Sequence, residues 1–200
     1  MYQKFKVGIH LDTFISHSGQ TADPLNQYAR AMKEISSRRK KSEADHIALA
    51  RIEYEAGLYL NADRVPVIPG RVFEAAIAEG AKKSKESKVC LSAVFVDTDA
   101  LFTYEGGPLT LEQLLDSDHH RLAAVVRVGT SRIVRTRPIF RDVRATFEVS
   151  LETDGANPAQ LQRWIGDTLG QVGIGDWRPR HGRGSILSFA EQREPLKAAA

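Results

Sequence analysis

Phe5, Val7, Ile9 and Leu11 alternate with Lys6, Gly8 and His10, the two-residue period of a half-buried strand. A polar stretch from Ser16 to Asp23 predicts a loop. Asp23-Pro24 can cap and start a helix whose apolar side carries Leu25, Tyr28, Met32 and Ile35. Ser36 to Lys41 (SSRRKK) predicts a basic connector. Ser42, with Asp45 three residues on, has the form of a capping box and opens a helix ending near Gly57. Leu58 to Ile68 holds two short extended runs around Asn61–Asp63. Pro69-Gly70 starts a helix over 71–80 that runs out into Lys82, Lys83, Lys85 and Lys88. Val89 to Val96 is a continuous apolar run of strand length and predicts a central strand. Phe102 to Pro108 predicts a turn, and Thr110 with Gln113 caps a short helix at 111–115.

Leu122 to Val128 predicts a further strand. An arginine-rich, β-branched stretch at 127–144 follows, and Val143, Ala145, Phe147, Val149 and Leu151 then alternate cleanly. Asn157 and Pro158 suit the cap and first position of a helix with Leu161, Trp164, Ile165, Thr168 and Leu169 on one side, ending at Gly170. A glycine-rich loop, Gly170 to Gly184, leads into a last strand at 185–189. The major elements therefore read β-α-β-β-α-β, an α+β class with the ferredoxin-like order. Residues 16–68 become a mostly helical insertion and residues 98–141 a hairpin extension. One domain over 1–192 is expected, with a flexible tail at 193–200.

Composition narrows the class. The 200 residues are 42% hydrophobic and 26% charged, enough to bury a core. The net charge of +3 is too small to imply a polyanionic partner by itself, so the distribution of charge matters more. The one cysteine, Cys90, sits in an apolar run and is expected as a buried thiol; no disulfide within the chain is possible. No apolar stretch approaches the roughly 20 residues of a membrane span. The N-terminus begins as a strand and not as a signal peptide, so a cytoplasmic protein without a membrane partner is expected.

No catalytic set stands out. There is no phosphate-binding P-loop and no G-x-S-x-G. Gly170, Gly173 and Gly175 reverse the dinucleotide fingerprint and follow a helix, which is the wrong context. Asp116, Asp118, His119 and His120 are the densest set of potential metal ligands, but a solvated loop explains them better. Asp97, Asp99 and Glu105 suit turns after a strand, and His10 and His17 have no nucleophile placed with them. The expectation is a chain with no cofactor and no metal that binds and does not catalyse.

The positive signal is basic and comes in four places. Arg38, Arg39, Lys40 and Lys41 link two helices. Arg71 stands at a helix start, where free N–H groups favour phosphate; Lys82 and Lys83 close the same helix. Arg127, Arg132, Arg135, Arg137, Arg141 and Arg144 are opposed in their own stretch only by Asp142, and guanidinium groups along an extended ribbon can track a phosphate backbone. Trp177, Arg178, Arg180, His181 and Arg183 combine a stackable ring, cations and glycines that permit close approach.

Ile68-Pro69-Gly70-Arg71, the arginine hairpin and the Gly173–Arg183 loop together resemble a small phage and prophage protein family. In layout the chain is similar to the RAMP superfamily, in particular the backbone subunits of CRISPR surveillance complexes. The resemblance implies a ferredoxin-like palm, a thumb hairpin at 127–141, a glycine-rich loop at 177–183 and Arg71 against a nucleic-acid backbone. It also implies a sequence-tolerant binder of single-stranded RNA or DNA that forms head-to-tail homo-oligomers along the strand. Two other functions fit the same features: a virion structural protein whose hairpin joins subunits, and a metal-dependent nuclease built on Asp97, Asp99 or the Asp116–His120 cluster.

Overall fold

The alternation at 5–11 extends in the computed structural model into a long strand, β1 (Tyr2–Ile15), with Val7, Ile9 and Leu11 fully buried. The structure describes residues 1–192, so the tail expected at 193–200 lies outside the described residues. Two helices follow, α1 (Gln27–Ser36) and α2 (Glu43–Gly57). The Asn26 side chain, not Asp23, caps α1, which leaves Leu25 exposed. Ser42 and Asp45 form the expected capping box on α2. A two-residue strand β2 (Val67–Ile68) precedes α3 (Gly70–Ala81).

The apolar run at 89–96 departs from expectation. Its first part is a helix, α4 (Ser87–Ala93), and only β3 (Val94–Val96) is extended. Cys90 and Ala93, three residues apart, are buried while Leu91 between them is exposed. That is helical spacing within a run too short for periodicity to separate helix from strand. Phe102 belongs to a strand, β4 (Ala100–Thr103), and not to a turn. Then come α5 (Leu111–Asp116), β5 (Arg121–Val128), β6 (Ser131–Glu152), α6 (Pro158–Asp167) and β7 (Gly184–Gln192). The helix at 158 ends two residues before Leu169 and passes into a wider π-helical turn over Thr168–Val172. Thr168 Oγ1 donates to the carbonyls of Trp164 at 2.7 Å and Ala76 at 3.1 Å, tying this turn to α3.

β6 organises the molecule. Its 22 residues are one strand, where the sequence suggested a hairpin arm and a separate core strand. Residues 139–152 pair antiparallel with β1, and β7 lies antiparallel on the other side of β1. β3 and β4 pair in succession with β6, and β2 extends the sheet beyond β4. Residues 131–138 pair only with β5 and project about 25 Å past the sheet at ~3.3 Å per residue. A two-residue turn, Gly129–Thr130, closes this hairpin, with Gly129 at φ 59°. α3 and α6 cover one sheet face: Phe73 stacks on Phe147 at 4.0 Å, and Trp164 is fully buried.

Candidate nucleic-acid interface

Each basic segment is positioned by a different element. The 38–41 connector joins α1 to α2. Arg38 is tied to Asp45, and the Lys41 ammonium donates to the Arg38 carbonyl at 3.1 Å. Arg39 and Lys40 are exposed. Lys41 also lines a groove of ≈ 670 Å³ between the helix pair and the hairpin, shared with His46, Glu53 and Arg135.

Arg71 lies on the first turn of α3 with its guanidinium 5.4 Å from the centre of the Tyr59 ring. Tyr59 Oη donates to the His17 carbonyl at 2.8 Å, which fixes the ring under the arginine. Burial pushes the Tyr59 phenol up, and Arg71 opposes that rise. The expectation of free N–H groups at this helix start needs correction, because Gly70 N–H donates to Asp99 Oδ1 at 2.9 Å. Lys82 and Lys83 belong to the opposite end of α3, about 16 Å from Arg71 at 1.5 Å per residue. Lys82 is paired with Glu79, which lines a hollow of ≈ 510 Å³ beside Trp177 and Arg178.

The hairpin arginines divide into two kinds. Arg127 and Arg132 face each other directly across β5 and β6 near the tip, both exposed. Like charges in that register repel, so an anion between them is favoured. On the same hairpin face Val125 and Val134 form a cross-strand pair, 67% and 61% exposed. Arg135 and Arg137 are not ligand groups of this kind. Arg135 donates to Glu53 Oε1 at 2.6 Å. Arg137 is 9% exposed and donates from Nε to Asp176 Oδ2 at 3.1 Å, with Glu53 at 3.7 Å. The opposing acids come from α2 and the glycine-rich loop, far away in sequence, so the hairpin stretch alone gave no sign of them.

Arg137 thereby joins three segments. Glu53 also accepts the Thr136 N–H at 2.8 Å, fastening α2 to β6. Asp176 accepts the Trp177 N–H at 3.0 Å and donates its own N–H to the Ile15 carbonyl at 3.0 Å. His17 borders this network. Burial first, then the Arg137 charge, hold its pKa below the ordinary value, and its Nδ1 has no hydrogen-bond partner among the described residues.

The loop is held to β1 by Gly182 N–H to the Thr13 carbonyl and Asp12 N–H to the Arg183 carbonyl, both 2.9 Å. A Cβ on Gly182, at φ 80°, would fall 1.9 Å from the Ile174 carbonyl oxygen, so only glycine closes this loop. Trp177 is half-buried at φ 53°, a left-handed backbone for a bulky residue. Arg178, Arg180 and Arg183 are exposed. His181 Nδ1 lies 3.0 Å from Thr13 Oγ1, and Arg141, the cross-strand partner of Thr13, donates to the His119 carbonyl.

The structure thus links Arg71, the glycine-rich loop and the hairpin base at one end of the sheet. The hairpin tip extends outward, and Lys82 and Lys83 stand at the far end of α3. Tyr59, Glu53, Asp99, Asp176 and Thr13 are positioning residues that no local motif announced. Several of the acids and histidines with metal-ligand chemistry are engaged elsewhere. Asp116 meets Arg51, Asp118 meets Arg121, His120 is buried against the Ile139 carbonyl, and Asp97 accepts from Ser150. Among the described residues no three His, Cys, Asp or Glu side chains converge, and no helix is long and apolar enough to cross a membrane.

No family model matches the chain, and no curated protein matches it in sequence. Among solved structures it is similar to one chain in the cryo-EM structure of the Type III-B Cmr-beta bound to cognate target RNA. The two share 12% identity with a TM-score of 0.54 over 95% of this chain and 60% of that one. This chain therefore spans about three fifths of its neighbour's length. The likeness is one of fold alone: an α+β arrangement built on a mostly antiparallel sheet.

Proposed function

We propose that the chain binds single-stranded nucleic acid without sequence preference and catalyses no reaction on it. One observation carries this reading. Among the described residues, the exposed guanidinium groups of Arg71, Arg127, Arg132, Arg178, Arg180 and Arg183 have no carboxylate partner within ion-pair distance. Arg137 holds the hairpin and the glycine-rich loop in fixed relation, and Tyr59 holds Arg71. We read the strand order β4-β6-β1-β7, with α3 and α6 on one face, as a ferredoxin-like palm, and the projecting β5–β6 hairpin as its thumb. The complex that contains the fold neighbour is bound to target RNA, which favours RNA as the strand. Trp177 or Tyr59 offers a ring for base stacking, worth about 1–3 kcal/mol per base. Head-to-tail assembly along the strand is part of the same proposal.

The test is binding of a labelled single-stranded RNA 40-mer, and its DNA equivalent, as salt is raised. Six phosphate contacts at ~0.7 each give a log–log slope of about −4. No affinity at low salt, or affinity without a slope, overturns the proposal. Recovery of the RNA at full length after incubation with Mg²⁺ is expected; shortened products would restore the nuclease.

The exposed Val125–Val134 pair supports a second reading, a virion structural protein whose hairpin contacts a neighbouring subunit. Purified protein that assembles with no absorbance excess at 260 nm would favour that reading over the first.

A further inference from the structure

The cross-strand pair Thr13 and Arg141 lies where the glycine-rich loop crosses β1. Thr13 holds His181 through its hydroxyl, 3.0 Å from Nδ1, so the ring's Nε2 points away from β1. Arg180 precedes His181 on the loop, and Arg141 stands directly across from Thr13 on β6, one nitrogen of its guanidinium donating to the His119 carbonyl. One threonine therefore has His181 bonded to its side chain, Arg141 across the strand pair and Arg180 next along the loop. Neither Arg141 nor Arg180 has a carboxylate partner among the described residues.

The groups facing His181 are of one sign. Arg180 on its own loop and Arg141 on β6 both oppose its protonation, and with burial as the largest cause they hold its pKa below the ordinary histidine value. β1 supplies only the neutral Thr13 hydroxyl there, because the Asp12 carboxylate turns to His10 at 4.0 Å. Beyond Arg141, His119 and Glu105 act on His120. A site of this kind is short of one negative charge. An oxyanion would neutralise the arginines, accept from Nε2–H and make the imidazolium favourable. Thr13 tolerates both states, since its hydroxyl donates to a neutral Nδ1 and accepts from a protonated one.

We propose that Arg141, Arg180 and His181 together hold a phosphate of the bound strand, and that its binding draws one proton from solvent onto His181. The inference rests on the nucleic-acid reading for the source of the phosphate, while the anion site stands on these three side chains. Binding and protonation are then linked. Affinity rises as pH falls from above the pKa of the occupied site towards that of the empty one, by about tenfold for each unit separating the two.

The experiment measures 40-mer RNA affinity from pH 8 to pH 5.5 for the wild type, His181→Asn and Arg141→Gln, with circular dichroism confirming that each variant is folded. Asparagine keeps a partner for Thr13 and removes the titration. The wild type should gain at least about threefold more affinity on acidification than His181→Asn. In the free protein, Arg141→Gln should move the His181 imidazole titration upward, followed by NMR, because it removes an opposing charge. A second arm follows the same imidazole signal with inorganic phosphate alone. A phosphate-dependent upward shift without RNA binding at any pH would keep the anion site and sink the nucleic-acid reading. RNA binding with identical pH profiles in wild type and His181→Asn would keep that reading and overturn the inference.

Discussion

Arg137 and Arg132 are five residues apart on the same strand, yet the structure gives them opposite duties. Arg137 is buried between Glu53 and Asp176; Arg132 stands in water opposite Arg127. Removing one member of a buried ion pair strands the others, at a cost of about 3 kcal/mol or more. Arg137→Ala should therefore lower the thermal midpoint by several degrees, whereas Arg132→Ala should leave it within about a degree; differential scanning calorimetry distinguishes them. Equal small effects would show that the network contributes nothing. From sequence the six arginines of 127–144 were indistinguishable, because what separates them is acid supplied from α2 and from the 176 loop. The turn through the loop glycines was legible, since their type permits the positive φ found at Gly173, Gly175 and Gly182, whereas the left-handed backbone of Trp177 was not. Tyr59 was not, because only the fold sets it beneath Arg71.

At the scale of elements, capping pairs were read well at three helices but not at α1, where Asn26 caps in place of Asp23, and short apolar runs were not read well. Ser42–Asp45 and Thr110–Gln113 form the reciprocal caps their spacing predicts, and Asn157 caps its helix as expected, with Gln160 completing a box the sequence reading did not name. The run at 89–96 failed because its helical burial shows in only two positions. The junction between α4 and α6 depends on Glu86, which accepts from Ser84 at 2.6 Å, Trp164 Nε1 at 2.7 Å, Gln160 at 3.1 Å and Arg163. These bonds, led by the Ser84 hydroxyl, hold the Glu86 pKa down at about 2. The unfolded value lies near 4.3. Its stabilisation is thus complete above that value and is lost as pH falls from there towards 2. Glu86→Gln should melt below the wild type at pH 6 and with it at about pH 2. A constant difference across that window would contradict the bond set. Packing makes a second demand: a Cβ on Gly80 would lie 2.6 Å from the Trp164 carbonyl oxygen and 2.2 Å from Thr168 Oγ1. Gly80→Ala should push α3 from α6 and destabilise by about 1–3 kcal/mol in urea denaturation.

For the whole molecule, the claim is that one strand touches both the hairpin tip and the glycine-rich loop. The sequence pointed to a shared surface for basic segments far apart in the chain, but their link through Arg137 is made only by the fold. The direct measurement compares RNA 40-mer salt slopes for the wild type, Arg127→Ser/Arg132→Ser and Arg178→Ser/Arg180→Ser. Each pair should reduce the slope by about 1.4, with little change in the thermal midpoint, and the four changes together should reduce it by about 2.8. Unaltered slopes in both paired variants, with wild-type affinity retained, would contradict the account.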